Sequence, residues 1–595
     1  DEVNVFDGEM TQSQVLAQYT ATHPCGGAVV PGSFNAFETS APPGITGVVH
    51  TKVAGQNFDL AIVALNAPKT AVETLFVGDV KVELLDASNN AGVLDANGCR
   101  PTWTPLPVFV PQTLLFAAGD LGRKNITLTE NNAWRDVRVR MTYPAVGAPL
   151  AIGCSTDNFA IRPAALVMAA SDQDWQTAGI ARALNNSGYP GGTVHKAGQP
   201  FTLTVTGRNA LSAVTTNYDG TPIGNVAGFV LPAPGACPTC LLTAGAFAGA
   251  GGTVVSNTAN YSEVGAIQLQ MTDDTFAAVD SSDGSSVAER TAYSASTTVG
   301  RFVPDHFTLT SGAVTAACGG FTYMNQPFQS LAATVQAQNA SGAVTVNYYS
   351  TGFPAPLAAV AWQAENADNG IDLSSRLNVA APSPLWNSGV YSVSTAAASF
   401  RRATPDNPDG PFGSLQLGVR VTDPDAVALN SLDMNAATTG ACAPCTAKAV
   451  GAATGTRFGR LRLLNAHGSE LRALPVPVRA EIWNGSGFAT NTLDSCTAIG
   501  AVALNAAPST CTLTPAQAGV GSVLAAGAGT LTLAAPNVGG CIDLRMTTPS
   551  WLLGNWDGAD QPLPGGDGNL YDDDAAARAT FGIYRDRLIY RREIK

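Results

Sequence analysis

Lysine, histidine and charge in general are scarce in this sequence. Of 595 residues only 13% are charged, with 7 lysines and 5 histidines, whereas about 25% charged residues is ordinary for a soluble domain. The formal net charge of −13 excludes the basic footprint that a general nucleic-acid binder needs. No run of about 18 apolar residues occurs, so no helix of the chain is expected to span a membrane. Stretches rich in the helix formers Glu, Lys and Leu are nearly absent. The chain starts at Asp1 without Met, signal sequence or pilin-type helix, and reads as a processed or excised segment.

Catalytic signatures are missing too. His23, His50, His195, His306 and His467 stand singly, with no HExxH or other close pair at zinc-ligand spacing. His306, in "PDHF", reads as a polar residue opening a strand. No GxSxG nucleophile elbow is present. The glycine clusters "AGAFAGAGGT" and "GVGSVLAAGAGT" fit neither dinucleotide nor P-loop spacing and read as turns or loops. Glycoside hydrolysis depends on carboxylate separation in space, but Glu is sparse in the middle of the chain and no aromatic-rich cleft stretch accompanies it. The expectation is a protein that is not an enzyme and has no cofactor, calcium excepted.

What the chain does have is Ala, Gly, Thr, Val, Ser and Asn, with 61 Gly and 37 Pro. That mixture suits many short strands joined by turns, and the length calls for several cores. Internal similarity divides it. "KVAGQNFDLAIVALN" from Lys52 and "KAGQPFTLTVTGRN" from Lys196 both place Gln, any residue, then Phe before an alternating run ending in Asn. A third copy, "MNQPFQSLAATVQAQN" from Met324, is three residues longer. The second and third copies continue alike, as "NALSAVTTNYDG" and "NASGAVTVNYYS". A second element recurs as "VRMT", "LQMT", "VRVT" and "LRMT", beginning at Val139, Leu269, Val419 and Leu544.

Alternation of apolar and polar residues means one wet and one buried face per strand. The fold expected is all-β, tandem immunoglobulin-like β-sandwich modules: a leader over 1–45 as a candidate donor strand, then modules over 46–153, 154–300, 301–455 and 456–595. The last module closes with a hairpin in "ATFGIYRDRLIYRREIK", where Phe581 and Ile583 fill the core and arginines face water.

The eleven cysteines fit disulfides in an oxidising compartment. Pairing within modules predicts Cys99 with Cys154 and Cys496 with Cys511, and leaves one thiol free or bonded to another chain. The CxxC pairs Cys237/Cys240 and Cys442/Cys445 read as disulfides, since no helix N-terminus stands by to stabilise a thiolate. Acidic clusters are the metal candidates: "TDDTFAAVDSSDG" from Thr272, "TPDNPDG" from Thr404, "TDPDAVALN" from Thr422 and "GGDGNLYDDD" from Gly565, with Asp273, Asp274, Asp572, Asp573 and Asp574 leading, offer oxygens of the kind calcium prefers, although none follows EF-hand order.

Five segments together, "HTKVAGQNFDLAIVALN", "CSTDNFAIRP", "RFVPDHFTLTSG", "LPVPVRAEIWNGSGFATNTLDSCT" and "ARATFGIYRDRLIYRRE", resemble the large C-terminal region of MshQ-like proteins of the mannose-sensitive haemagglutinin (MSHA) type IV pilus locus. The resemblance covers nearly everything after about residue 40 and supplies no catalytic residues. No lectin-like, concanavalin-type domain, common upstream in that family, is present here. The resemblance implies a secreted, pilus-associated surface protein, adhesive or structural at the pilus tip. Its implied partners are pilus or envelope components and a host or neighbouring-cell surface. The alternative is a filament or sheath subunit that polymerises with itself, the leader from Asn4 to Tyr19 adding as a strand to a neighbouring module.

Overall fold

The computed structural model describes residues 9, 11–15, 29–172, 181–189, 191–231, 240–349, 357–440, 442–507, 509–556 and 570–582. It is nearly all β. Two compact units form, one of Asp1–Ser187, Gln199–Tyr261 and Gly265–Arg301, the other of Gly188–Gly198, Ser262–Val264 and Phe302–Lys595.

In the first unit, strands Ser33–Glu38, Asn57–Leu65 and Arg123–Thr129 make one sheet in that order. The facing sheet runs Lys52–Val53, Phe159–Arg162, Trp134–Tyr143, Gly78–Asp86. Lys52–Val53 pairs parallel with Phe159–Arg162, the last of these strands in the chain, and all the other neighbours are antiparallel. The first segment therefore contributes to both sheets and meets the final strand in parallel, which is the immunoglobulin-like arrangement. Phe34, Phe58, Leu60 and Ile62 from one sheet pack with Val80, Val82, Val139, Met141 and Ile161 from the other in a single core.

The second module repeats the plan. Ala165–Asp172, Phe201–Arg208 and Thr253–Tyr261 form one sheet, and Thr297–Val303, Gly265–Asp273 and Ile223–Leu231 the other.

The second unit holds two further copies. His306–Thr315, Ser330–Gln338 and Val390–Thr395 face Phe321–Tyr323, Lys448–Arg457, Phe412–Thr422 and Ala359–Asn366. Gly459–Leu463, Leu474–Trp483 and Ala528–Leu533 face Ala466–Gly468, Ala576–Phe581, Gly540–Met546 and Val502–Leu504. Each copy again has its short parallel pair, and His195–Lys196 with Phe302–Val303 is another.

The quoted repeats now have places. The Phe of each Gln-x-Phe is buried: Phe58, Phe201 and Phe328. "VRMT" and its relatives lie in or at the end of the central strand of the second sheet.

Several boundaries and pairings need correction. The first module begins at Ser33, not residue 46, because Ser33–Glu38 supplies its first strand. It ends with Phe159–Arg162, past 153. The leader does not show a donor strand where it is described: residues 12–15 form a helical turn. Thr11 caps that turn by accepting the Gln14 N–H, while the Gln14 side chain accepts the Thr11 N–H, a capping box. The rest of Asn4–Tyr19 lies outside the described residues.

Cys99–Cys154 forms, and Cys442 pairs with Cys445. Cys496 does not pair with Cys511, because it bonds Cys318 across two modules while Cys511 bonds Cys541. The economy of pairing within a module fails where two modules abut. Cys240 is also disulfide-bonded. Cys25 and Cys237, and with them the question of the odd thiol, lie outside the described residues. Of the closing hairpin, Phe581 fills the last core, and everything from Ile583 onward is outside the described residues.

Candidate functional site

The joints between modules hold buried polar side chains, Asn209, Glu263, Asp280, Asn339, Asn491 and Asp494 among them, and two of them are built from the repeats. After Lys52–Val53 the chain turns through Ala54-Gly55. Gly55 has φ +80°, and a Cβ there would lie 3.1 Å from the Ala210 nitrogen. Ala210 donates its N–H to the Ala54 carbonyl at 2.9 Å, and the Asn209 amide donates to the Asn131 carbonyl at 3.1 Å. Asn209 Oδ1 meanwhile accepts the N–H groups of Leu211 and Ala213 and holds its own loop in shape.

The second unit repeats this residue for residue. Gly198 has φ +80° with the Ala340 nitrogen 3.1 Å from its virtual Cβ. Ala340 donates to the Ala197 carbonyl, and the Asn339 amide donates to the Ser262 carbonyl at 2.9 Å. An Asn-Ala knob thus seats on an Ala-Gly turn at both places. Only glycine suits the turn, since a side chain there suffers αL strain of about 1–2 kcal/mol and pushes into the knob. Gly55→Ala should lower the melting temperature of the first unit, while Gly119→Ala, with open space around its virtual Cβ, should not; equal effects would contradict the seat. Calorimetry of both variants decides.

Around the first joint, Arg135 pairs with Asp219 at 2.9 Å and lies 4.6 Å over the Phe276 ring. Asn132 Oδ1 accepts the Thr216 N–H and hydroxyl. Thr51 donates its hydroxyl to Asp280 Oδ2 at 2.5 Å, and the Ala160 N–H donates to the same oxygen at 3.0 Å. Asp280 is fully buried, and its Oδ1 has no hydrogen-bond partner. Burial, helped by the neighbouring carboxylates Asp283 and Asp157, pushes its carboxyl up to about 7.

In the second unit Glu263 accepts the N–H groups of Val264, Val346 and Asn347. Burial outweighs these donors and raises the carboxyl to about 7. The sign follows: unfolded, the group titrates near 4.5, so protons favour the fold. The stability present below pH about 4.5 is lost as pH rises through 7, by up to about 3 kcal/mol at roughly 1.4 kcal/mol per unit. Glu263→Gln should flatten the fall in melting temperature of the second unit between about pH 4.5 and 7, as followed by calorimetry. An unchanged slope would contradict this.

Modules three and four are joined differently. Tyr323 donates to Asp494 at 2.7 Å and accepts from the Asn491 amide at 2.8 Å, beside the Cys318–Cys496 bridge. Arg402 reaches from the third module to the Gly459 and Trp551 carbonyls at 2.8 and 2.9 Å and stacks 4.0 Å over Phe458. Burial lowers its guanidinium to about 10.

The aspartates that the sequence offers to calcium are engaged within the protein or exposed. Asp273 is buried, accepts the Tyr218 hydroxyl at 2.9 Å, and caps Thr275 and Phe276. Asp423 meets Tyr348 in the same way at 3.0 Å, so the recurring Asn-Tyr pair reaches the residue after "LQMT" and "VRVT". Asp274 is exposed. Asp573 accepts the Trp556 N–H and Asp574 the Thr548 N–H, and Asp572 is exposed. Among the described residues, the one set of three metal-ligand side chains drawn within 4.8 Å is Cys318, Asp494 and Cys496, and its thiols are spent in a disulfide.

Asp280 and Asp283 stand in the acidic run "TDDTFAAVDSSDG" that the sequence offers to calcium, behind Asp273 and Asp274, whereas a joint role for Asn209 and Asn339 was not among its readings. The recurrence of Gln-Asn spacing was the available signal for the two asparagines, and the acidic run itself was the signal for the two aspartates.

Residues 263–449 match the family model described as DUF6701, third domain, and residues 457–594 match DUF6701, fourth domain. No curated protein matches. Among solved structures, FdeC, an Escherichia coli adhesin, is 13% identical over 64% of this chain and 93% of its own, at a TM-score of 0.28. A tetra-tandem repeat from the extending region of a large adhesion protein is 11% identical over 92% and 99%, at 0.27. Titin domains I67–I69 are 8% identical over 68% and 100%, at 0.24. None of these values supports transfer of a function.

Proposed function

We propose, for a chain that belongs to the DUF6701 family through its third and fourth domains, a non-catalytic role as a surface protein outside the cell. It transmits force between a cell envelope or type IV pilus and the surface it adheres to. The observation that carries this reading is the repeated joint: the same Asn-Ala knob on the same Ala-Gly turn, with a disulfide added between the last two modules. Each module keeps its own core, so loops vary while the scaffold persists. Four disulfides with both partners placed suit an oxidising exterior.

The test is binding of fluorescently labelled full chain to purified type IV pili, to pilus-free cell envelopes, and to glycan and host-cell surfaces. Saturable binding to pili or envelopes together with an outer surface supports the role. Binding to none of them, or hydrolysis of a presented glycan, overturns it. Regular fibres under negative stain would instead favour the self-assembling alternative.

A further inference from the structure

We propose that Asp157, Asp280 and Asp283 form a calcium site in the joint between the first two modules. The case starts from an oxygen with no partner: Asp280 is fully buried and its Oδ1 receives no hydrogen bond. Asp283 Oδ2, three residues along, is buried and equally unpartnered. Its other oxygen accepts the Ser285 N–H at 2.8 Å. Asp157, from the first module, has one oxygen on the Val49 N–H at 2.6 Å.

Like carboxylates repel, and a buried unpaired charge costs several kcal/mol unless a counter-charge or ion compensates it. None of the three makes an ion pair among the described residues. Arg138, whose charge acts on Asp157, is turned to the Ser155 carbonyl at 2.6 Å and lies over Trp103. His50 has its Nε2 3.8 Å from where a Gly284 Cβ would lie. Lys52 is paired with Glu38.

Three carboxylates with hydroxyls of Thr51 and Ser285 beside them form an all-oxygen donor set, which selects a hard cation over zinc or copper. The three do not converge within direct chelating distance of one another. Calcium, which takes six to eight oxygens at about 2.3–2.6 Å with water among them, tolerates that, and magnesium, with its strict octahedron, does so poorly. Because Asp157 lies in one module and Asp280 and Asp283 in the next, bound calcium would tie the two together.

The inference does not rest on the adhesive role, and loss of cation binding would leave that role standing. The experiment is calorimetric titration of calcium chloride into the chelator-treated full chain, with magnesium chloride alongside. One calcium is expected to bind with Kd of about 10⁻⁴–10⁻³ M, the range of extracellular modules, and magnesium at least about tenfold more weakly. Asp283→Asn, at a partly buried position, should weaken calcium at least about tenfold while retaining the β-sheet circular dichroism of the parent. Asp280→Asn should do the same. Asp274→Asn should leave the titration unchanged. No heat of binding up to about 10 mM calcium, or loss of binding in Asp274→Asn but not in Asp283→Asn, overturns the site.

Discussion

Cys318→Ser combined with Cys496→Ser should lower the stability of the second unit by about 4–5 kcal/mol. The bridge spans 178 residues, and the chain-entropy cost removed by a crosslink grows with the logarithm of the closed loop, reaching about 4.7 kcal/mol near 100 residues. Both sulfurs lie close to the Asp494 carboxylate, with Cys318 Sγ 3.9 Å and Cys496 Sγ 3.5 Å from it. That same carboxylate accepts the Tyr323 hydroxyl and the Thr497 N–H, so the bridge also aligns a hydrogen-bonded seam. Urea unfolding of the double variant against the parent reads the difference. A change under about 1 kcal/mol would mean that the bridge contributes no constraint.

Trp386→Ala should cost about 3–5 kcal/mol, the usual range for a buried aromatic, and the loss should stay within the second unit. The ring is fully buried, with Phe307, Tyr348 and Tyr391 at 5.3, 5.2 and 6.0 Å. Its indole N–H donates to the Ala358 carbonyl at 2.8 Å. Truncation leaves a cavity, an unpaired carbonyl and three rings without the indole they share. Calorimetry resolved into transitions should show the one containing the third module shifted down and that of the first unit unmoved. Movement of both would contradict separate cores.

Much of the fold was legible because strands obey a short rule. Alternation fixes which side chains are buried, so Phe58, Phe201 and Phe328 could be placed inside from Gln-x-Phe alone. Strands that begin a module are harder to see. "SFNAFE" at Ser33–Glu38 is buried almost throughout, so it shows no alternation and reads as part of the leader. Disulfides depend on distance in space, and Cys318 reaches its partner only because the third module's "ACGGFTY" packs into the fourth module's core.

Candidate sites were less legible for a related reason. Runs of aspartate such as Asp572–Asp574 stand out in sequence, but Asp573 and Asp574 are spent on backbone N–H groups near turns. Asp280 belongs to the acidic run "TDDTFAAVDSSDG", but what buries it is tertiary, its packing against Thr51 and Ala160. The knob asparagines Asn209 and Asn339 were visible as repeats, but their role exists only once one module meets the next.

The most direct measurement is single-molecule pulling on the chain from its ends, first oxidised and then reduced. Separate cores predict several discrete unfolding steps. Reduction should lengthen the fully extended chain by about 60 nm through release of the Cys318–Cys496 loop of 178 residues, at roughly 3.4 Å per residue, with a smaller gain from the shorter bridges. One cooperative rupture of the whole chain, or no lengthening on reduction, would contradict an account of separate two-sheet modules strung in series and cross-linked at the last joint.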